Sequence, residues 1–325
     1  MSVDHTPGKD TPAAVTVGPY IIRQELEDGQ YYRTCLATHR TNSTLHTVKA
    51  VALKQLRANS KLQLQIEREV TVLRNLPHPH LVQLDDVLYS QTHLFVITRY
   101  CEGGELFEAL EEANSRVSAK GGDPGLLLSI VKRLGKELLT AVHFLHTQGI
   151  AHRDIKLEHV FLDEDNHVRL GGFSMAAAME QPRRRVQGGS DTVPLTVCCG
   201  SKHYACPEVV DGVEYDGRAA DAWSCGVLLF AIATGSLPFV EDETKSDDHL
   251  FQAIRRGDVV IANHPAWGSR FAVNHPLRSL VTDLLNPNPS LRASVANAIE
   301  HPFFSTEARA EASPPPRPQQ RTATR

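Results

Sequence analysis

Two polar segments of the chain hold side chains that can transfer protons and stabilise charge. The first, residues 150–159, reads Ile-Ala-His-Arg-Asp-Ile-Lys-Leu-Glu-His, and the second, residues 168–174, reads Val-Arg-Leu-Gly-Gly-Phe-Ser. In the first, Asp154 and Lys156 stand two residues apart. Carboxylates can accept protons, and ammonium groups can neutralise developing negative charge. These segments are therefore the first candidates for a catalytic site.

Both segments resemble a eukaryotic protein kinase, in which His-Arg-Asp-Leu, three variable residues and Asn are followed later by Asp-Phe-Gly. The resemblance implies that Asp154 accepts the proton of a substrate hydroxyl and that Lys156 steadies the γ-phosphate of ATP. It also places His159 at the Asn position and Gly172 at the Asp position, the two usual magnesium ligands.

These two substitutions argue against the usual metal site. Mg²⁺ prefers oxygen ligands, whereas imidazole suits softer metals, and Gly172 offers no ligand atom. We expect His159 to be a packed or solvated polar group rather than a zinc ligand. Loss of one electrostatic group commonly costs ~3–4 kcal/mol of transition-state stabilisation. We therefore expect no magnesium binding of the usual kind and strongly impaired phosphoryl transfer.

The turn around Gly29 resembles the glycine-rich loop that closes over nucleotide phosphates in kinases. Aligned this way, Glu27 replaces the first glycine of the motif and Tyr32 replaces the third. Glu27 would bring negative charge near the phosphates, and Tyr32 would add bulk where a backbone should approach. The loop therefore supports nucleotide binding only weakly.

Two lysines are candidates for the strand lysine that holds the phosphates. Lys54 ends Val51-Ala52-Leu53-Lys54, which is close to the Val-Ala-Ile-Lys motif. Lys49 matches the motif poorly but lies at the usual distance from Gly29, and we favour it. Glu69, in a predicted helix over residues 62–75, matches the glutamate that pairs with this lysine.

Residues 99–107 resemble the segment that links the two lobes of a kinase. The resemblance implies that the backbone of Cys101 meets an adenine ring and that Glu105 meets a ribose. Because backbone contacts do not depend on side chains, ATP binding could persist, although weakly.

Residues that support the kinase fold are in place. Asp221 matches a helix residue that hydrogen-bonds the catalytic-loop backbone, and Arg292 and Glu208 match a buried ion pair. A predicted stack of four side chains links the two lobes: Leu73, Leu84, His152 and Phe173.

The sequence predicts an α+β, bilobal protein-kinase fold. We assign residues 17–98 to a small N-lobe, with five antiparallel strands and one helix, and residues 99–305 to a larger, mainly helical C-lobe. Residues 1–16 and 306–325 are predicted to be disordered. The Pro314–Pro318 run in the second tail is a candidate SH3-type ligand.

Bulk properties exclude several classes of function. A formal net charge of −4 gives no footprint for nucleic acid or an anionic membrane. No apolar run approaches the ~18 residues of a membrane span, and residues 1–17 lack the apolar core of a signal peptide. Six cysteines without regular spacing predict neither a disulfide framework nor a zinc site. We therefore expect a cytoplasmic or nuclear protein.

Within kinases, residues 199–208 resemble the AMPK-related branch of the calcium/calmodulin-dependent group, whose regulatory Thr falls at Val197. The Gly18-Pro19-Tyr20 and Lys156-Leu157 pairings also resemble the Tribbles pseudokinases. This combination predicts a pseudokinase that acts as a scaffold or allosteric regulator. The expected partner is another protein kinase, a substrate protein or a ubiquitin ligase. The alternative is a weakly active or metal-independent Ser/Thr kinase that uses ATP.

Overall fold

The computed structural model describes residues 15–119, 122, 124–179, 202–240, 247–257, 261, 263–268 and 271–305. Most of both predicted tails, the Pro314–Pro318 run and Val197 lie outside these residues. Thr16, which we assigned to the disordered tail, pairs with Ile21 in the first sheet. Within the described residues, regular structure therefore begins one residue earlier than predicted.

A six-stranded antiparallel sheet forms the amino-terminal lobe, in the order β1-β2-β3-β4-β6-β5. Its extra strand is the two-residue β1, which returns onto β2 through a tight turn at Gly18, where φ is +56°. Five strands were predicted, because two residues are too few to show alternation. The strands are β1 Thr16–Val17, β2 Tyr20–Asp28, β3 Tyr32–His39, β4 Leu45–Ala52, β5 Leu84–Tyr89 and β6 His93–Arg99.

Two helices follow β4. The first, α1 (Leu53–Ala58), begins within the Val51-Ala52-Leu53-Lys54 motif, so that motif crosses the end of a strand. The second, α2 (Ser60–Asn75), begins two residues before the predicted start, where the Asn59 side chain accepts a hydrogen bond from the Leu62 N–H at 3.0 Å. This capping bond satisfies an N–H that the first turn leaves unpaired.

The carboxy-terminal lobe is mainly helical and contains the larger core. Its central helix, α6 (Gly217–Thr234), is capped by the Asp216 side chain before its first residue and by Gly235, where φ is +77°, after its last. Trp223 and Phe230 on this helix are fully buried. The helices are α3 Leu106–Ser118, α4 Leu128–Thr147, α5 Pro207–Val210, α6 Gly217–Thr234, α7 Asp247–Arg255, α8 Pro276–Leu284, α9 Val295–Ile299 and α10 Pro302–Ser305. In the described part of the chain, no helix is long and apolar enough to cross a membrane.

Two small two-stranded sheets hold the predicted catalytic segments between the lobes. Their strands are β7 Ile150–Ala151, β8 Val160–Leu162, β9 Val168–Leu170 and β10 Ala177–Ala178. Strand β7 pairs with β10, and β8 forms a hairpin with β9. Residues 152–159 therefore run from β7 to β8, and residues 171–176 run from β9 to β10. An isolated bridge between Leu81 and Leu170 ties the segment after α2 to β9.

Candidate active site

Lys49 and Glu69 form an ion pair between the sheet and helix α2. The Lys49 Nζ lies 2.7 and 2.9 Å from the two carboxylate oxygens of Glu69. Burial acts against the charged lysine, but the hydrogen-bonded carboxylate outweighs it, so the pKa of Lys49 is raised. Lys54 is exposed on α1. The structure therefore brings Lys49, and not Lys54, to Glu69.

The loop around Gly29 places an aromatic ring above this lysine. The Gly29 N–H donates to the Tyr32 carbonyl at 3.0 Å and closes the turn between β2 and β3. The centroid of the Tyr32 ring lies 4.8 Å from Lys49 Nζ, which is within range of a cation–π interaction. Tyr32 also packs against the apolar cluster of Val51 and Ile66 beneath α2. The side chain at the third glycine position thus shields the strand lysine.

The backbone of the segment linking the lobes is hydrogen-bonded to both of them. The Tyr100 N–H donates to the Leu45 carbonyl at 3.2 Å. The Gly103 N–H donates to the Leu162 carbonyl and the Leu162 N–H to the Gly104 carbonyl, both at 2.9 Å. The Cys101 carbonyl accepts from the Gly104 N–H at 3.1 Å. Burial raises the pKa of the Cys101 thiol to about 12, so this cysteine is an unreactive thiol.

Glu105 stands at the start of α3 in an acidic part of the cleft. Burial raises the pKa of its carboxyl group, and the negative charges of Glu108, Glu158 and Glu27 raise it further, with Lys156 acting in the opposite direction. Negative potential therefore surrounds the position that the kinase resemblance assigns to a ribose. Such potential disfavours an anionic ligand.

Asp221 organises the backbone of the predicted catalytic loop from the central helix. Its two carboxylate oxygens accept hydrogen bonds from the His152 N–H at 2.8 Å and the Arg153 N–H at 2.7 Å. His146 Nε2 lies 2.9 Å from the first of these oxygens. Arg153 has a φ of +68°, a left-handed conformation that a non-glycine residue adopts at a cost. The sequence predicted the Asp221 contacts, and these contacts hold the loop in its strained form.

Two members of the predicted stack between the lobes are in contact. The His152 and Phe173 rings lie 4.9 Å apart. Leu73 belongs to the apolar core that contains Phe173, and Leu84 packs against that core. His152 Nε2 donates to the Gly171 carbonyl at 2.7 Å, and its Nδ1 accepts from the Asp154 N–H at 3.2 Å. Burial lowers the pKa of His152, so the ring is neutral, in agreement with one donating and one accepting nitrogen.

His159 and Gly172 meet beside Asp154. The His159 Nδ1 donates to the Asp154 carbonyl at 2.8 Å and lies 3.4 Å from its carboxylate. Gly172 has a φ of +76°, and a Cβ atom added there would lie 2.4 Å from Cγ of the His159 ring. Burial lowers the pKa of His159 more than the nearby Asp154 carboxylate raises it. A neutral ring therefore fills the space where a side chain at position 172 would begin.

The comparison with known proteins identifies the family. The sequence matches the family model described as "Protein kinase domain" over residues 20–304. This chain belongs to the protein kinase family. The match covers both lobes and every residue of the site described above.

Curated relatives are similar over most of the kinase domain. CBL-interacting serine/threonine-protein kinase 1 of Arabidopsis thaliana is 31% identical over 299 residues, 92% of this chain and 61% of its own length. CBL-interacting protein kinase 31 of Oryza sativa subsp. japonica is 30% identical over 288 residues, 89% of this chain and 58% of its own. A "Probable serine/threonine-protein kinase" of Dictyostelium discoideum is 31% identical over 290 residues, 89% of this chain and 31% of its own. The chain therefore spans between about a third and three fifths of these relatives.

The kinase fold implies magnesium, and the residues present do not fit it. Gly172 has no ligand atom, and the His159 Nδ1 is engaged with the Asp154 carbonyl. Asp154 remains the one carboxylate in contact with this pair, and the described residues contain no cluster of three or more His, Cys, Asp or Glu suited to a metal ion. A hard cation needs several oxygen ligands, which this part of the kinase cleft does not supply.

Some contacts of the kinase site were not predicted. Arg153 donates to the Tyr215 hydroxyl from Nε at 3.2 Å and from Nη2 at 3.1 Å. Tyr215 belongs to no motif, so only the folded backbone brings it to Arg153. Lys156, which precedes the Leu157–His159 turn, is partly exposed, and its positive charge acts to lower the pKa values of Glu105 and His159.

Proposed function

We propose that this kinase domain is a pseudokinase that acts as a scaffold or allosteric regulator in intracellular signalling, in the cytoplasm or nucleus. The observation that carries the proposal is the His159 ring beside Gly172, 2.4 Å from the position of a Cβ atom there. Kinases neutralise phosphate charge with metal ions held at these two positions. Without them, the largest electrostatic contribution to phosphoryl transfer is missing.

The assembled scaffold supports a binding role. The Lys49–Glu69 pair, the His152–Phe173 contact and the Asp221 contacts are all formed. A domain that keeps these features can present a fixed surface to a partner. In line with the Tribbles resemblance, the partner is another protein kinase, a substrate protein or a ubiquitin ligase.

ATP binding would be weak in this proposal. The backbone of Cys101 can still meet an adenine ring, and Lys49 can still meet a phosphate. Tyr32 covers the lysine, and Glu27 adds negative charge near both Lys49 and Glu105. A phosphate group would therefore displace an aromatic ring and approach a carboxylate.

A weakly active or metal-independent Ser/Thr kinase is the second candidate, and the Asp154 carboxylate favours it. The Asp154 N–H donates to His152 Nδ1, and the Asp154 carboxylate lies 3.4 Å from His159 Nδ1. Lys156 stands two residues later in the chain. In such an enzyme Asp154 would accept the proton of the substrate hydroxyl and Lys156 would steady the transferred phosphate. The Arabidopsis and Dictyostelium relatives are named as serine/threonine-protein kinases, which supports this class of chemistry.

Phosphotransfer from labelled ATP decides between the two. The full chain is incubated with ATP in Mg²⁺, Mn²⁺ or EDTA, beside an Asp154→Ala variant as the control. The pseudokinase proposal expects equal, background incorporation in all samples. Incorporation that the Asp154→Ala variant abolishes would overturn it in favour of the kinase.

A further inference from the structure

The imidazole of His159 and the missing side chain of Gly172 are complementary in shape. A Cβ at position 172 would lie 2.4 Å from both Cγ and Nδ1 of the ring and 2.8 Å from Cδ2. Contacts below 3.0 Å are essentially absent for real Cβ atoms. These atoms are not the far end of a flexible side chain. They include Cγ, the ring carbon nearest the His159 backbone, so the ring cannot easily give way.

The ring has little freedom to move aside. Its Nδ1–H donates to the Asp154 carbonyl at 2.8 Å, and the His159 carbonyl accepts from the Gly171 N–H at 2.9 Å. The His159 side chain is 23% exposed. Rotation of the ring would break the first bond, and a shift of the backbone would break the second.

We propose that His159 and Gly172 act as one unit that keeps divalent cations out of the cleft, so that neither substitution alone restores a metal site. This inference rests on the proposed pseudokinase function and names the pair of residues that removes the metal from the same site. It has a specific consequence for reversion. Gly172→Asp alone would bring its Cβ atom against the His159 ring. His159→Asn alone would leave position 172 without a ligand atom for the metal. Both substitutions are therefore needed to restore a metal site.

The first experiment tests the shape complementarity without any ligand. Gly172→Ala adds only a Cβ atom, and Gly212→Ala is its matched control, since Gly212 has a φ of +64° with no atom within 4 Å of an added Cβ. We expect Gly172→Ala to melt several degrees below Gly212→Ala. In a His159→Ala background this excess loss should disappear, because the ring that meets the Cβ is gone. An excess that persists without the ring would overturn the coupling.

The second experiment tests cation exclusion with melting curves in ATP plus EDTA and in ATP plus Mg²⁺. The parent and both single variants, His159→Asn and Gly172→Asp, should gain no more stability with Mg²⁺ than with EDTA. The double variant should gain more with Mg²⁺. A Mg²⁺-dependent gain in the parent or in Gly172→Asp alone would overturn the proposal, as would a double variant without one.

The outcomes separate this inference from the proposed function. Asp154-dependent phosphotransfer in EDTA would overturn the pseudokinase but leave cation exclusion standing. Phosphotransfer that requires Mg²⁺ would overturn both.

Discussion

The aromatic ring of Tyr32 lies over the ammonium group of Lys49, with 4.8 Å between the ring centroid and Nζ. The same lysine is hydrogen-bonded to both carboxylate oxygens of Glu69. The glycine-rich loop, the sheet and helix α2 are thereby joined at one point.

Replacing Tyr32 by Gly should increase the affinity for ATP and lower the stability of the domain. The ring no longer covers Lys49, and the loop regains the residue type that allows close backbone approach. The apolar contacts of the ring with the cluster beneath α2 are lost, and Gly in a strand costs roughly 0.5–1 kcal/mol more than Ala. Titration calorimetry with ATP in EDTA and urea denaturation measure the two effects.

The neighbouring Tyr31 provides the control for this substitution. It is 40% exposed and stands next to Tyr32 in the chain. Tyr31→Gly should leave ATP affinity unchanged, and Tyr32→Phe should keep the parent's low affinity because the ring remains. Equal affinities in Tyr32→Gly and the parent would contradict the shielding role.

Removing one member of the Lys49–Glu69 pair should destabilise the domain measurably. Lys49→Met leaves the Glu69 carboxylate, with a side chain 12% exposed, without its cation. Hydrogen bonds to charged groups contribute about 1.5–3 kcal/mol, and partial exposure places the expected loss of unfolding free energy at the lower end. Lys54→Met, on the exposed face of α1, should stay within about 0.5 kcal/mol of the parent. Urea denaturation that gives equal losses for both lysines would contradict the assignment of Lys49 to the cleft.

Much of the fold could be predicted from the sequence, because the kinase fold fixes the order and spacing of its motifs along the chain. The bilobal α+β architecture was predicted because independent motifs occur in the order of the kinase chain. The Asp221 contacts and the Arg292–Glu208 pair were predicted for the same reason, since each joins two motifs. We favoured Lys49 over Lys54 because of its distance from Gly29 along the chain. The structure gives the physical reason: strand β4 ends at Ala52, so Lys49 lies within the strand and Lys54 lies beyond it.

Other features depend on side-chain packing, which a motif does not encode. The sequence predicted that Tyr32 adds bulk to the loop, but not that its ring turns inward over Lys49. It showed that His159 and Gly172 are both unusual, but not that one fills the space of the other. Helix α1 was missed because the apolar residues of 51–56 suit a strand as well as a short helix.

Acidification should destabilise the domain below about pH 6.5. Burial lowers the pKa of His152, so the folded protein keeps this ring neutral at a pH where the unfolded chain protonates it near 6.5. The unfolded state then binds more protons than the folded state. The free energy of unfolding therefore decreases as the pH is lowered, by up to ~1.4 kcal/mol per pH unit for each such group. Other histidines with lowered pKa values add to the effect: His46, His78, His159, His264, His275 and His301.

Urea denaturation between pH 7.5 and 5.5 measures this dependence. His152→Phe should be less stable than the parent at pH 7.5, because the bonds to Gly171 and Asp154 are lost. Its stability should also fall less steeply on acidification, since the buried titrating group is absent. Equal slopes in the variant and the parent would contradict a neutral, buried His152.

Breaking the Arg292–Glu208 pair should cost far more than breaking an equally short pair at the surface. Arg292 Nη1 and Nη2 lie 3.0 and 2.8 Å from the carboxylate oxygens of Glu208, and their side chains are 0% and 10% exposed. Glu208→Ala leaves a buried guanidinium without its anion, for which a loss of about 3–5 kcal/mol is expected. In the control pair, Arg255 Nη2 and Asp211 are 2.7 Å apart but 45% and 41% exposed. Asp211→Ala should therefore cost at most about 1 kcal/mol in urea denaturation, and equal losses in the two variants would show that burial does not set the strength of the Arg292–Glu208 pair.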